Sequence, residues 1–231
     1  EARAPRGIDS RAPALIAPPA GGTGPAVELA TPLTYSTNRA GDFDIYSQQE
    51  AGGSATALTG PPAGEYTPFW SPDGRFLLYT GLGDGDADIY LREAATGQEQ
   101  PLTTGDADDI HPAWSPDGRQ IIFSSDRSGQ FQVYTMDPQG NNVQRVGAID
   151  GHALYPRFSP DGRRISYMRA GVAIPACDWN WDIWLMDPTG DNQVRATTQL
   201  GGDLYANWTP DGQLIYSSCR TFLFADLYRL D

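Results

Sequence analysis

The sequence predicts an all-β fold: a five-bladed β-propeller of four-stranded antiparallel blades, with the ring closed by an N-terminal strand that completes the last blade. Three observations predict it. A four-residue turn, Ser71-Pro72-Asp73-Gly74, returns as Ser115-Pro116-Asp117-Gly118, Ser159-Pro160-Asp161-Gly162 and Thr209-Pro210-Asp211-Gly212, at intervals of 44, 44 and 50 residues. A second landmark returns with it: Asp44-Ile45-Tyr46, Asp88-Ile89-Tyr90, Gln132-Val133-Tyr134, Asp182-Ile183-Trp184 and Asp226-Leu227-Tyr228. No stretch has sustained helical periodicity or a helix-start signal of useful length. Repetition at this period, built from short strands, is the mark of a propeller.

Each unit reads in order as strands A to D. Strand A ends on an aromatic residue before the turn (Trp70, Trp114, Phe158, Trp208). In the turn, Pro presets φ, Asp accepts a local backbone bond and Gly tolerates positive φ, which makes it a hairpin connection. Strand B follows as FLLYTG or QIIFSS, rich in β-branched and aromatic residues. Strand C is FQVYTMD or NWDIWLMD, closed by a second turn, Asp137-Pro138-Gln139-Gly140 or Asp187-Pro188-Thr189-Gly190. Strand D (NVQRVG, NQVRATT) leads to the next unit. Four antiparallel strands in this span make one blade.

These repeats, HPAWSPDGRQIIFSSDRSGQFQVYTMDPQG and LYPRFSPDGRRISYMR above all, closely resemble the TolB-like (WD-type) β-propeller repeat family. The resemblance runs from about residue 33 to the end. Its motifs are specific for the fold and say little about activity. It implies a bacterial protein, periplasmic or secreted, since the family includes periplasmic interaction proteins, propellers attached to peptidases, and sensor domains. The five units depart from the six blades and preceding α/β domain of the family's namesake, whose partners are therefore not carried over.

Ring closure has its own signal. The sequence stops at Asp231, in register with Asp137 at the end of a strand C, which leaves the last unit without a strand D. Near the other end, APALIAPPAG (residues 12–21) matches ATALTGPPAG (residues 55–64), which is a strand D with its connection. The expected organisation is a tail over 1–9 and one propeller over 10–231. Its units are 22–66, 67–110, 111–154, 155–204, and 205–231 completed by 10–16. AVELATPLTYS would hold degenerate A and B strands. A closed ring hides two edges that would otherwise pair with other chains.

The balance of charge narrows the partners. The net charge is −13 over 231 residues, and all sixteen basic residues are arginine. Nucleic acid and anionic membranes reward a basic face, so neither is expected. No run of about 18 apolar residues is present, so no membrane insertion by a helix is expected. The acidity serves solubility, or else favours cations or a basic partner. Residues 1–30, rich in Ala, Pro and Gly, have the composition of a linker or tether.

In a propeller the A–B and C–D turns lie on one face, while B–C loops and D–A connections share the other. The near-constant turns are structural, and functional residues are sought on the variable face. There, Asp84, Asp86 and Asp88 alternate like the start of a calcium loop, although Ala95 stands where the closing Glu belongs. Calcium is the one cofactor considered; otherwise none is expected. Asp109 and His111 lie in an acidic D–A connection, where a carboxylate and an imidazole could bind a ligand, although His111 is also in register with Thr67, Tyr155 and Tyr205 at the start of strand A. The six extra residues of the fourth unit bring Cys177, Asp178, Trp179 and Asn180. Trp179 has no counterpart elsewhere, so it either anchors a ligand, such as a sugar or a partner chain, or covers a disulfide. Cys177 and Cys219 fall in equivalent loops of adjacent blades, within reach of a disulfide, which would place the protein in an oxidising compartment, periplasmic or extracellular.

These readings favour a non-enzymatic, extracytoplasmic module that binds a protein or peptide through its acidic B–C/D–A face. The alternatives are a metal-dependent hydrolase or lyase and a carbohydrate-binding or sensor domain. There is no G-x-S-x-G, and two histidines without any lysine leave few acid–base groups.

Overall fold

The computed structural model describes residues 28–39, 41–50, 53–60, 64–83, 85–170, 181–198, 201–221 and 224–230. They form five antiparallel sheets, which are the blades, and no helix. The first blade holds β1 (Glu28–Thr37), β2 (Asp44–Glu50) and β3 (Ala55–Ala57). The second holds β4 (Glu65–Trp70), β5 (Phe76–Gly81), β6 (Asp88–Glu93) and β7 (Glu99–Pro101). The third holds β8 (Asp109–Trp114), β9 (Ile121–Ser125), β10 (Gln132–Met136) and β11 (Gln144–Arg145). The fourth holds β12 (Ala153–Phe158), β13 (Ile165–Ala170), β14 (Trp181–Met186) and β15 (Val194–Arg195). The fifth holds β16 (Asp203–Trp208), β17 (Leu214–Thr221) and β18 (Phe224–Leu230).

Strands follow chain order within every sheet, as the repeat predicts. The first strands of the second to fifth blades, β4, β8, β12 and β16, lie against one another in succession, so they are innermost and line the axis. The outer strands are short, only two residues for β11 and β15.

The recurring turn is held the same way in each copy. Ser71 Oγ donates to Asp73 Oδ1 at 2.6 Å and accepts from Phe76 N at 3.0 Å, while Gly74 N donates to Ser71 O at 2.9 Å. Ser115/Asp117 and Ser159/Asp161 repeat the 2.6 Å contact. Gly74, Gly118 and Gly162 all sit at φ 69°, a left-handed backbone that glycine adopts without strain. The serine hydroxyl first, and a backbone N–H next, hold Asp73, Asp117 and Asp161 below the usual carboxylate range.

Packing lies between blades. Ile45 meets Leu77 and Tyr79; Leu78 and Ile89 meet Trp114 and Phe123; Val133 meets Ile165 and Tyr167; Ile183 meets Leu214 and Tyr216. The apolar residue of each strand C thus faces the following blade, and the tyrosines of strands B and C face the preceding one. Tyr167 and Phe123 are fully buried, the expected fate of large aromatic residues in a flat multi-sheet core.

One expectation needs correction. The sequence predicts two degenerate strands in AVELATPLTYS, whereas residues 28–37 form a single strand that pairs with β2 across a bulge between Glu28 and Leu33. It occupies the strand B place of its blade, because Tyr35 pairs with Tyr46 as Tyr79 pairs with Tyr90. The closing strand expected over residues 10–16, and the tail before it, lie outside the described residues.

Candidate functional site

On the D–A side the innermost strands share an unusual backbone. Each is interrupted by a bulge: between Tyr66 and Phe69, Ile110 and Ala113, Leu154 and Arg157, and Leu204 and Asn207. Within each bulge one residue is left-handed: Thr67 (φ 52°), His111 (φ 58°), Tyr155 (φ 52°) and Tyr205 (φ 54°). None is a glycine, so each conformation costs on the order of 1 kcal/mol and persists because the surrounding sheet imposes it. The bulge turns successive side chains from the pleat toward one another across blades.

The result is a chain of rings. His111 stacks on Tyr155 at 3.5 Å between centroids, and Tyr155 meets Tyr205 edge-on at 4.7 Å. His111 is buried while Tyr205 is 43% exposed, so the stack runs from the interior to solvent. Beneath it, Arg157 Nη1 donates to His111 O at 3.1 Å and to Pro156 O at 2.8 Å, and its guanidinium lies 5.1 Å from the ring of Phe69. Burial lowers the Arg157 guanidinium to about 10. Burial first, then the Arg157 charge, pushes His111 well below its ordinary value, so its imidazole is neutral. His111 Nδ1 has no hydrogen-bond partner among the described residues.

Around this mouth the carboxylates fall into two sets. A buried acid–threonine arrangement recurs between blades: Asp44, Thr59 and Glu65; Asp88, Thr103 and Asp109; Asp182, Thr197 and Asp203. The threonine Oγ accepts from the N–H of Ile45, Ile89 and Ile183 at 2.9, 2.9 and 3.0 Å. Its acids are handled differently. Thr59 donates to Glu65 Oε2 at 3.2 Å, and burial foremost raises Glu65 to about 7. Asp109, 1% exposed, receives both its bonds from Arg127 Nη2 at 3.0 Å. Asp182 accepts from Arg195 Nη2 at 2.7 Å. Among the described residues neither oxygen of Asp203 has a hydrogen-bond partner.

The second set is nearer solvent. Asp108 Oδ1 accepts from Ala87 N, and Asp126 Oδ1 accepts from Asp108 N, both at 3.0 Å. Burial first, and then the charges of Asp126, Asp86 and Asp109, raise Asp108 against the relief of its backbone bond. Asp106 and Asp150 are exposed on the same side, Asp150 facing Arg169 Nη2 at 3.4 Å.

The residues singled out from sequence distribute unevenly. His111 belongs to the ring stack; Asp109 is committed to Arg127 behind it. Asp88 is buried and accepts from Thr103 Oγ1 at 3.0 Å, which is the structural strand C role. Asp86 is half-buried; Asp84, Cys177, Asp178, Trp179 and Asn180 lie outside the described residues, as does the side chain of Cys219. Among the described residues no three His, Cys, Asp or Glu side chains are grouped to hold a metal ion. His152 is exposed, and its Nδ1 accepts from Phe131 N at 3.3 Å. Sequence reasoning missed Arg157; its only signal was a charged residue after Pro156, where Phe69 and Ala113 follow the equivalent Pro68 and Pro112.

On the opposite face a shallow groove of about 530 Å³ lies between the turns at 159–162 and 209–212, with Arg163, Arg164 and Trp208 along it. It is the space between two adjacent hairpins. Its Asp161 and Asp211 are bound to Ser159 and Thr209 of their own turns.

The TolB beta propeller domain model matches residues 27–174. The chain belongs to the TolB β-propeller family. Among solved structures, TolB from Acinetobacter baumannii superposes with a TM-score of 0.74 at 23% identity, over 87% of this chain and 49% of that one. A TolB from Agrobacterium tumefaciens, described as putative, gives 0.67 at 27% identity, over 86% and 70%. An oligogalacturonate lyase from Vibrio parahaemolyticus shares the fold as well, with 0.62 at 16% identity over 87% and 59%. This chain thus spans about half the length of the Acinetobacter TolB. No curated protein matches it by sequence. One family fold therefore serves unlike activities, and the site has to be argued from its own residues.

Proposed function

We propose that this TolB-family propeller is a non-enzymatic binding module that receives a segment of a partner protein or peptide at the D–A mouth of its axis, in an extracytoplasmic compartment. The observation that carries the reading is the left-handed backbone repeated at Thr67, His111, Tyr155 and Tyr205. Strain held at four equivalent positions, with Tyr205 at its solvent end, is the signature of a surface organised for contact. An aromatic edge supplies contact area at small entropic cost. The carboxylates Asp86, Asp106, Asp108 and Asp126 beside it, on a chain of net charge −13, favour a segment carrying arginine or lysine. The likeness to TolB supports the compartment, as a disulfide between Cys177 and Cys219 would. Trp179 and a calcium ion at Asp84 and Asp86 remain proposals for the same face.

Selection of displayed random peptides on the purified protein tests this. Selected peptides should be enriched in basic and aromatic residues and bind more weakly as salt rises. Tyr205→Asn keeps a residue tolerant of left-handed backbone. It should weaken binding by about 5–10-fold, as truncating an anchor does. Asp106→Asn should weaken it less, and Asp161→Asn on the turn face should leave it unchanged. Binding that Asp161→Asn abolishes and Tyr205→Asn spares would place the site on the wrong face.

A further inference from the structure

Arg157 lies across the axis. It belongs to β12, yet its guanidinium reaches the inner strand of the third blade, where Nη1 donates to His111 O, and it lies over the ring of Phe69 on the inner strand of the second. Its own carbonyl accepts from Trp208 Nε1 of the fifth blade at 3.3 Å. The inner strands of four blades therefore meet on this one residue, beneath the rings of His111, Tyr155 and Tyr205.

Among the described residues no acid neutralises the charge so placed. Arg157 enters none of their ion pairs. Of the described arginines, three are half-buried: Arg92 faces Glu99 and Arg169 faces Asp150, while Arg157 has only carbonyl acceptors. A sheltered cation is costly to keep without a partner. Burial lowers this one no further than about 10, so it stays charged at neutral pH. Both of its hydrogen bonds use Nη1, which leaves Nε and Nη2 without a partner among the described residues. Neither is among the buried atoms that lack a partner, so their N–H groups reach solvent. Those two N–H groups form one edge of the guanidinium, and their parallel directions match the two oxygens of a carboxylate. His111 Nδ1 is a second polar group here that the described residues leave unpartnered.

We propose that Arg157 is an anion-binding residue at the floor of the D–A mouth, where Nε and Nη2 take a carboxylate of the bound segment, its C-terminal group or an acidic side chain. This rests on the proposed binding of a peptide segment at the mouth, and it specifies the group that enters deepest. Rim and floor carry opposite charge. Asp86, Asp106, Asp108 and Asp126 repel a free anion such as phosphate. A segment whose basic residues meet that rim carries its carboxylate past it.

Short probes added to the full chain test it: N-acetyl-Arg-Gly as the free acid, the same dipeptide as its C-terminal amide, and N-acetyl-Arg-Asp amide, which carries its carboxylate on a side chain. Binding is followed by NMR from the Arg157 Nε–H signal and the ring signals of His111. A carboxylate-bearing probe should shift both saturably and bind at least about 10-fold more tightly than the dipeptide amide, as a charge-assisted pair allows. The tighter of the two carboxylate probes identifies the source of the group. Arg157→Lys keeps a donor for the His111 and Pro156 carbonyls but lacks the paired N–H edge. Followed from His111, it should lose the preference for carboxylate, as should Arg157→Gln if the lysine variant does not fold. Arg163→Gln, on the turn face, should retain it. Equal affinities for acid and amide, a preference that survives Arg157→Lys, phosphate binding more tightly than both carboxylate probes, or no binding by any probe would each overturn the assignment. Selected peptides that need Tyr205 but no carboxylate would overturn it and leave the binding surface standing, whereas peptides indifferent to Tyr205 would overturn the surface itself.

Discussion

Replacing Arg127 with alanine should destabilise the propeller by about 3 kcal/mol, one of the largest effects available outside the hydrophobic core. Arg127 Nη2 donates to both oxygens of Asp109, and Arg127 Nε donates to Ser125 Oγ at 2.9 Å. The guanidinium also lies 5.1 Å from the ring of Tyr134 and 5.6 Å from that of Phe123. Asp109 is 1% exposed, so without the arginine its charge stays buried and unpaired. The arginine side chain is 32% exposed, which lets some water follow its removal and keeps the cost toward the low end of the range. For a chain of this size the loss corresponds to a Tm lower by roughly 6–12 °C. Adding Asp109→Asn to Arg127→Ala should restore all but about 1 kcal/mol, because the amide carries no charge to strand. A single variant melting within about 2 °C of the parent would show that the pair contributes little.

Glu65→Gln should have an effect that depends on pH. Burial foremost, with Asp44, Glu99 and Asp42 adding repulsion against the Thr59 bond, raises Glu65 from 4.5 to about 7 in the folded chain. A carboxyl raised on folding contributes its stability fully below pH 4.5, and that contribution is lost as pH climbs toward 7. Above that, the folded state carries a buried charge that the unfolded chain solvates freely. Glutamine mimics the protonated acid and has no charge to bury. The variant should therefore match the parent near pH 4.5 and exceed it by about 2 kcal/mol at pH 8, a Tm higher by roughly 4–8 °C. Equal melting curves for the two proteins at pH 8 would contradict this.

The blades were legible because their determinants are local. Ser-Pro-Asp-Gly writes its own turn, and Ile45, Ile89, Val133 and Ile183 mark the buried face of strand C at intervals of 44, 44 and 50 residues. The site was less legible because its determinants are not local. Nothing in the chemistry of His111, Tyr155 or Tyr205 asks for left-handed backbone. The bulge in each inner strand imposes it, and only the proline after Thr67, His111 and Tyr155 hinted at a shared break in pairing. Asp109 looked like a ligand residue in an acidic loop. Its commitment to Arg127 comes from the pairing of β8 with β9, which sets Asp109 opposite Ser125, two residues before the arginine. The first blade misled for a related reason: with no turn sequence to divide residues 28–37, they run on as one strand.

In the proposed function, the D–A mouth of the axis is the binding surface and the recurring turns opposite are scaffold. Amide hydrogen exchange of the propeller, measured free and saturated with a peptide selected on it, tests this most directly. Added protection should be confined to the segments around Asp106–His111, Ala153–Tyr155 and Asp203–Tyr205, with the turns at 71–74, 115–118, 159–162 and 209–212 unchanged. Protection centred on those turns, with the mouth exchanging as in the free protein, would contradict it.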